Sequence, residues 1–520
     1  VDPFYRTRYG PCVDFDFVTY GNNNTNMSLG VTRLTKVRKP EIPGFHLMLQ
    51  QLQRQFIADH LHVYLDAAEK YSVYFDSYTS KVEEVIAHYA DPHEKRKLRI
   101  FAYFELIADG RLGLDNDTWL KVSKRGVAFC EWMLKLRENA KPGKLPRLVI
   151  SLGTPASLAG FIPMELLKQA QSGCPIYYRG GVIYFCKSPK REALRRYFRE
   201  LYALPWRYMF VYFSDDSVLG YWCDGVPHYH NLDISDCDAS HTSATFDALV
   251  QSTPGFLHPD VEVLVDQCRA PLRVRSTYVG SGPRKVFLAR PRQVKSYSGS
   301  TITTAINGVG NTSIGLAIGD LDEIRPELIT HAAQQAGYVV TGAEPIRFEQ
   351  LQFLKHSPVL VDGQYEPLLN VGVLLRLLGS VKMDLPGKGK LEQRGREFTY
   401  SLVNSAYPRA RFTLVDRLRA GHETSVRPEI QSAVDELLRY RVEPSEDERI
   451  ITFPDDEIAK RYDIPLNCFL AMSHNLGSCG FGEHYRDDAT NTILKADYEM
   501  EIGAHNQNPW MGDTFEPRKS

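Results

Sequence analysis

Residues 210–219 read Phe210-Val211-Tyr212-Phe213, then Ser214-Asp215-Asp216-Ser217, then Val218-Leu219. Aromatic and β-branched residues on either side of four small polar ones predict a strand, a tight turn and a returning strand. This hairpin constrains the chain twice. It demands a sheet, and it puts two adjacent carboxylates at one tip, where a cation would relieve their repulsion. A second acidic run, Asp233-Ile234-Ser235-Asp236-Cys237-Asp238, follows Asn231-Leu232 at the end of another strand-like stretch. Hard oxygen donors without His or Cys suit Mg²⁺ or Mn²⁺; Mg²⁺ keeps waters and binds through one or two carboxylates plus substrate phosphates. Two ions held by separate acidic elements form a clamp for in-line displacement at phosphorus. Asp215, Asp216 and Asp233 are therefore the candidate metal-binding and catalytic acids. Asp236 is an extra acid expected to face solvent.

Residues 298–307 supply a third element, Ser298-Gly299-Ser300-Thr301-Ile302-Thr303-Thr304-Ala305-Ile306-Asn307. Gly299 lets the backbone flex or approach a ligand closely. Thr303 and Asn307 are four apart, so on a helix they share one face. The pattern SG-x3-T-x3-N resembles motif B of viral RNA-dependent RNA polymerases. Asp233-x4-Asp238 resembles their motif A, and Ser214-Asp215-Asp216 their motif C. About sixty residues separate A from B, which leaves room for a fingers insertion. The order here is C, A, B, similar to the permuted palm of permutotetraviruses and birnaviruses. The acidic pair downstream, Gly319-Asp320-Leu321-Asp322, lies twelve residues past Asn307 and reads as the end of the motif B helix. Ser214 departs from the family, which usually carries Gly there, or a different turn in birnaviruses.

The resemblance implies an α+β right-hand fold of fingers, palm and thumb, the palm an antiparallel sheet flanked by helices. It implies an N-terminal extension and fingers over 1–190, a palm with motifs C, A, B, D and E over 191–356, a fingers insertion near 250–297, and a thumb and tail over 357–520. The implied activity is template-directed nucleotidyl transfer from NTPs to an RNA 3′ hydroxyl, with Mg²⁺ or Mn²⁺ as cofactor. RNA template and product and NTPs are the implied partners, with other viral proteins beside them. The host-cell cytoplasm or the virion is the implied location. Asp238 and Asn307 would sense the ribose, since a hydroxyl that donates and accepts satisfies an Asp–Asn pair. Ser298 and Gly299 would form a mobile loop under the templating base; on residue type alone Ser298 is equally a helix cap. Thr303 would line the same nucleotide site. Lys144 and Arg147, in the punctuated stretch Pro142-Gly143-Lys144-Leu145-Pro146-Arg147, resemble the basic residues of motif F that face the triphosphate. Phe353-Leu354-Lys355-His356 resembles motif E, with Lys355 gripping RNA; Arg284 and Lys285 are further RNA contacts. Arg347 is the nearest base to motif D, but Arg does not release a proton readily, so no general acid is assigned.

The formal net charge is −1, so a nucleic-acid enzyme of this composition must segregate its charge. From Arg269 to Lys295 there are eight basic residues and no acid; from Lys187 to Arg199 there are six and one Glu. Such stripes would attract a phosphate backbone. Length and a 43 % hydrophobic composition allow more than one domain. No run of eighteen apolar residues and no signal-peptide pattern appears. Nine cysteines without a CxxC pair point to a reducing compartment. Cys468, His474, Cys479 and His484 fit no common zinc spacing and read as ordinary packing.

Helices are expected at 44–90, 189–203, Ser240–Val250, Asp322–Ala336, 366–379 and 428–440, two strands around Gly280-Ser281-Gly282, and irregular chain over 1–42. Lys388, Lys390, Arg394 and Arg396 form a Gly-rich loop that could touch RNA. Two other functions use the same acids: a metal-dependent phosphoryl hydrolase, and a catalytically silent RNA-binding packaging protein. The first leaves motif B and the basic insertion without a role; the intact acids argue against the second.

Overall fold

The computed structural model describes residues 6–13, 24–35, 131–135, 144–151, 174–186, 189–269, 272–276, 286–289, 293–382, 384–438 and 449–499, with short pieces between 51 and 66 and between 163 and 172. Arg284, Lys285, the Gly280–Gly282 turn, Pro142-Gly143, most of 44–90 and the tail beyond 499 lie outside the described residues.

The fold is α+β, and a six-stranded sheet organises its middle. β1 (Ile176–Tyr178) and β2 (Gly181–Phe185) form an edge hairpin. Helix α1 (Arg191–Ala203) then crosses to β3 (Tyr208–Phe213), which runs parallel to β2. β3, β4 (Asp216–Cys223) and β5 (Val226–Ile234) follow as an antiparallel meander. The sheet thus begins at Ile176.

The residues explain this order. β3 reads Tyr-Met-Phe-Val-Tyr-Phe and is buried on both faces, as a central strand must be. Phe210 and Tyr212 enter one core, with Ile183, Leu219 and Ile306; Met209 and Val211 enter the other, with Val182, Leu194, Phe198 and Leu201. The period of two sorts them. The β4–β5 turn is Asp224-Gly225, both with positive φ (52° and 74°), the pairing a two-residue hairpin turn requires.

After β5 come α2 (Ser243–Gln251), α3 (Thr303–Asp320) and α4 (Pro326–Gln335). β6 (Val340–Thr341) returns to pair with β5 at Ile234 and Asp233. α3 is buried from Ile306 to Gly319, and Gly308, Gly315 and Gly319 face the sheet. A Cβ at Gly315 would lie 2.9 Å from Ile183, and one at Gly319 would meet the Tyr208 hydroxyl. Each glycine costs a helix about 1 kcal/mol against Ala; the close seat of α3 on β2 and β3 offsets it. α3 ends at Asp320, where the sequence placed its end.

A second sheet joins distant segments in the order Val286–Ala289, Leu272–Ser276, Glu131–Leu134, Leu148–Ser151. The stretch after Cys268 therefore forms two strands, as expected, and shares a sheet with the strand that leaves Lys144–Arg147. A C-terminal core gathers Leu374, Phe398, Leu402, Leu418, Phe469 and Met472.

Several expectations need correction. Asn24–Thr35 is a helix inside the stretch read as irregular. Residues 364–369 are a strand, β8 (Gln364–Leu369), hairpinned to β7 (His356–Val361); the helix there is only Val371–Leu377. Arg394 and Arg396 lie on the helix Leu391–Ala406 rather than in a loop, and Arg394 donates to the Leu385 carbonyl. The basic face of α1 is not a free stripe. Arg195 and Arg199 both hold Glu366, at 2.7 and 2.8 Å, and Arg191 donates to the Pro367 carbonyl. Among the described residues, no helix is long and apolar enough to cross a membrane.

Candidate active site

The β3–β4 turn is Ser214-Asp215, with Ser214 at φ 53°. β4 opens on Asp216, and the register of β4 on β5 sets Asp216 directly opposite Asp233. The early acidic turn and the later acidic run therefore meet at one end of the sheet, beside Thr341 of β6. Asp215 and Asp233 stand open to solvent, while Asp216 is half-buried. Asp216 Oδ2 accepts a hydrogen bond of 2.9 Å from the Leu354 amide.

Two of these acids are held in surroundings that disfavour their charged form. Burial, then repulsion from Asp215 and Asp233, push Asp216 up to about 7 against the pull of the Leu354 amide and Lys355. Desolvation by the surrounding protein, then repulsion from Asp215, push Asp233 up to about 6; Lys144 and Arg147 pull it down. The two basic residues read as motif F thus lie near enough to Asp233 to act on its charge. Their loop is held by Arg33, which donates to the Leu145 carbonyl at 2.8 Å and pairs with Asp236 at 3.1 Å. Asp236 does not simply face solvent: at φ 47° it opens the turn Cys237–Ser240, its carbonyl accepting from the Ala239 and Ser240 amides, and its carboxylate pairs with Arg33.

Asn307 and Asn311 lie one turn apart on α3 and both hold the acidic turn. Asn307 Nδ2 donates to Ser214 Oγ at 3.2 Å, and Asn311 Nδ2 donates to the Ser214 carbonyl. Asn307 Oδ1 lies 2.8 Å from His241 Nε2 and 3.3 Å from Cys237 Sγ. Asp238, next to Cys237, accepts from Ser296 Oγ at 3.4 Å and has Lys295 as a cationic neighbour. Asp238 and Asn307 do not bond to each other; Cys237 lies between them.

Other residues sit differently from expectation. The Ile150 amide donates to the Ser298 carbonyl at 2.8 Å, and Gly299 has φ 94° with its Cα against the Ile150 carbonyl, where a Cβ would clash. Gly299 is required for close approach, and here the approach is to the protein's own strand. Ser298 is not the cap of α3, which begins after Ile302, and Thr303 Oγ1 donates back to the Tyr297 carbonyl. Lys355 does not project toward solvent. Its Nζ donates to the Asp497 carbonyl at 3.2 Å and lies 4.5 Å from the Tyr498 ring centroid, and burial pushes its pKa down. Leu354 and Lys355 both have positive φ (50° and 62°), a strained pair whose amide grips Asp216. Arg347 pairs with Asp463 at 2.8 Å. Asp320 and Asp322 pair with Arg179 and so belong to the far end of α3. Cys468 is exposed, and Cys479 Sγ donates to the Asn475 carbonyl. Among the described residues, no three His, Cys, Asp or Glu side chains form a ready-made metal cage.

Four contributors were not singled out in the sequence: Arg33, His241, Tyr338 and the Leu354 amide. Arg33 is one basic residue in an unremarked helix. His241 carries a weak signal, lying four residues beyond Cys237.

No protein-family model matches the chain. No curated protein matches it either. Among solved structures, it is similar to the X-ray structure of the birnavirus VP1-VP3 complex, with 12 % identity and a TM-score of 0.37, over 78 % of this chain and 55 % of that one. The chain thus spans about half the length of that relative. A TM-score of that size establishes no shared fold.

Proposed function

We propose that this chain is a viral RNA-dependent RNA polymerase with permuted palm motifs. The observation that carries the reading is the strand register that puts Asp216 opposite Asp233 at the tip carrying Asp215, with Lys144 and Arg147 near enough to Asp233 to act on its charge. Asp215, Asp216 and Asp233, two of them raised by desolvation and by repulsion from neighbouring carboxylates, are hard oxygen donors of the type a divalent cation takes, gathered at one end of the sheet without forming a finished cage. Asp215, Asp216 and Asp233 would hold it, and substrate phosphates would complete its shell. When bound, such an ion neutralises phosphate charge and acidifies an attacking hydroxyl.

The chain's own residues divide the remaining work. The Leu354 amide fixes Asp216 through Oδ2. Lys144 and Arg147 neutralise charge on the triphosphate as the leaving pyrophosphate forms. Arg33 keeps their loop against the Asp236 turn. Asp238 and Asn307 read the ribose. Template pairing selects the base, so the protein contacts nucleic-acid backbone rather than sequence.

The test is primer extension on a defined RNA template with each NTP omitted in turn. Products should stop at the position that calls for the missing base. NTP hydrolysis without templated extension would instead identify a phosphoryl hydrolase.

A further inference from the structure

Asn307 is almost saturated by protein contacts. Its Oδ1 lies 2.8 Å from His241 Nε2, and its Nδ2 donates to Ser214 Oγ at 3.2 Å. His241 Nδ1 lies 2.9 Å from the Tyr338 hydroxyl. A neutral imidazole has one donor and one acceptor, and an amide oxygen only accepts. Nε2 therefore carries the hydrogen, and Nδ1 accepts from Tyr338. Hydrogen bonds run one way, from Tyr338 through His241 and Asn307 to Ser214. Asn307, His241 and Tyr338 are 4 %, 5 % and 1 % exposed. Gly310 on α3 makes room for the pair: a Cβ there would lie 3.0 Å from Tyr338 and 3.2 Å from His241.

We infer that His241, held by Tyr338, is a positioning residue that fixes the amide of Asn307 so that it offers an N–H, and not its oxygen, to the nucleotide sugar. This rests on the polymerase reading. Its consequence is a divided hydrogen-bond pattern. The 2′ hydroxyl accepts from the second hydrogen on Asn307 Nδ2 and donates its own proton to the Asp238 carboxylate. With the amide turned over, Asn307 and Asp238 would both be acceptors competing for one proton, and one bond would be lost. A deoxy sugar makes neither bond, so only ribonucleotide use depends on the flip. The inference also gives Ser214 a role where a glycine would have no hydroxyl to receive Asn307.

The experiment measures single-nucleotide incorporation of ATP and dATP by the full chain on an RNA primer–template. His241→Leu should lower the ATP/dATP efficiency ratio about three- to tenfold, the value of one hydrogen bond. His241→Gln, which keeps a donor at the reach of Nε2, should restore the ratio to within about twofold. Asn307→Asp still accepts from His241 but has no N–H, and should lose as much as His241→Leu. An unchanged ratio in both His241→Leu and Asn307→Asp overturns the inference and leaves the polymerase standing. An equal fall in His241→Gln also overturns it, because any change of packing would then suffice. If His241→Leu does not melt cooperatively, Tyr338→Phe replaces it; a ratio unmoved by both Tyr338→Phe and Asn307→Asp overturns the inference. Wild-type protein that incorporates neither nucleotide under template control overturns the polymerase reading itself, and the inference with it.

Discussion

Asp216 and Asp233 face each other across two strands, and desolvation with repulsion from neighbouring carboxylates raises them to about 7 and about 6. Asn307, tied to the same turn through Ser214, has both ends of its amide engaged by neutral partners. The carboxylate side is unfavourable in its charged form as it stands, and on the polymerase reading proposed above a bound cation would relieve it. The amide side is satisfied by the protein apart from the second hydrogen on Asn307 Nδ2, as a buried polar network must nearly be to avoid a desolvation cost. A site built this way receives its charge from what binds and supplies its own geometry. The two sides should therefore respond to mutation in opposite ways: the acids in turnover with little loss of stability, the amide network in selectivity with some loss of stability.

The largest expected effect falls on the acids. Asp215→Ala or Asp233→Ala should reduce primer extension about a thousandfold or more, the loss of several kcal/mol of transition-state charge stabilisation. Melting temperature should hold or rise. Extension within tenfold of wild type in either variant would remove these acids from the chemistry.

Lys144→Ala and Arg147→Ala come next. Each should raise the KM for NTP by about tenfold, the scale of a charge-assisted hydrogen bond to phosphate, and leave melting unchanged. Glu366→Ala should do the reverse. It leaves Arg195 and Arg199 without their carboxylate in a half-buried setting, so it should cost about 1–3 kcal/mol of stability and spare KM. A KM change in Glu366→Ala with melting intact would return the α1 arginines to the nucleic-acid surface.

The acids also set a pH signature. The folded-state pKa of Asp216 is raised, so between about pH 4 and 7 the native state binds a proton that the unfolded state releases. Stability from this group therefore falls as pH rises through that window. Asp233 adds to the fall between about pH 4 and 6. His230 and His356, buried and pushed down to about 4, work the other way. The informative quantity is thus the difference between wild type and Asp216→Asn in chelator. Asp216→Asn should be the more stable at pH 8, by about 1–3 °C, and the gap should close toward pH 5; added Mg²⁺ should stabilise wild type at pH 8 and not the variant. A gap independent of pH would mean that Asp216 is not held near neutrality.

How much of this was legible follows from where the signals lie. The β3–β4 hairpin is written locally, in apolar flanks around a polar turn, and so is the helix bearing Thr303 and Asn307. The β7–β8 hairpin was equally local. Asp362-Gly363, with φ 49° and 77°, is the same turn dipeptide as Asp224-Gly225, but the apolar run after Pro367 outweighed it and read as helix. What joins His241 to Tyr338 is not local: 97 residues separate them, and each alone is an ordinary core residue. Charge runs misled for the same reason. The sequence of α1 shows its arginines but not Glu366, 171 residues on from Arg195, which neutralises them.

The smallest effect tests where the two sides join. Ser214 sits at φ 53°, a conformation that costs a non-glycine residue roughly 1–2 kcal/mol. Ser214→Gly removes that cost but adds backbone freedom to the unfolded chain and loses the hydroxyl that receives Asn307, each worth about 0.5–1.5 kcal/mol. These terms nearly cancel, so melting should stay within about 2 °C of wild type. Asn311 still holds the Ser214 carbonyl, which keeps the turn in place. Selectivity should not cancel in the same way. With one of its two anchors gone, the Asn307 amide keeps His241 but gains freedom at Nδ2, and the ATP/dATP ratio should fall about twofold, less than the loss of a whole hydrogen bond. The paired measurement is melting temperature and nucleotide selectivity on one preparation. A variant several degrees less stable with unaltered selectivity would make the Ser214 hydroxyl a purely structural strut, and the acidic turn and the amide network would then be neighbours without coupling.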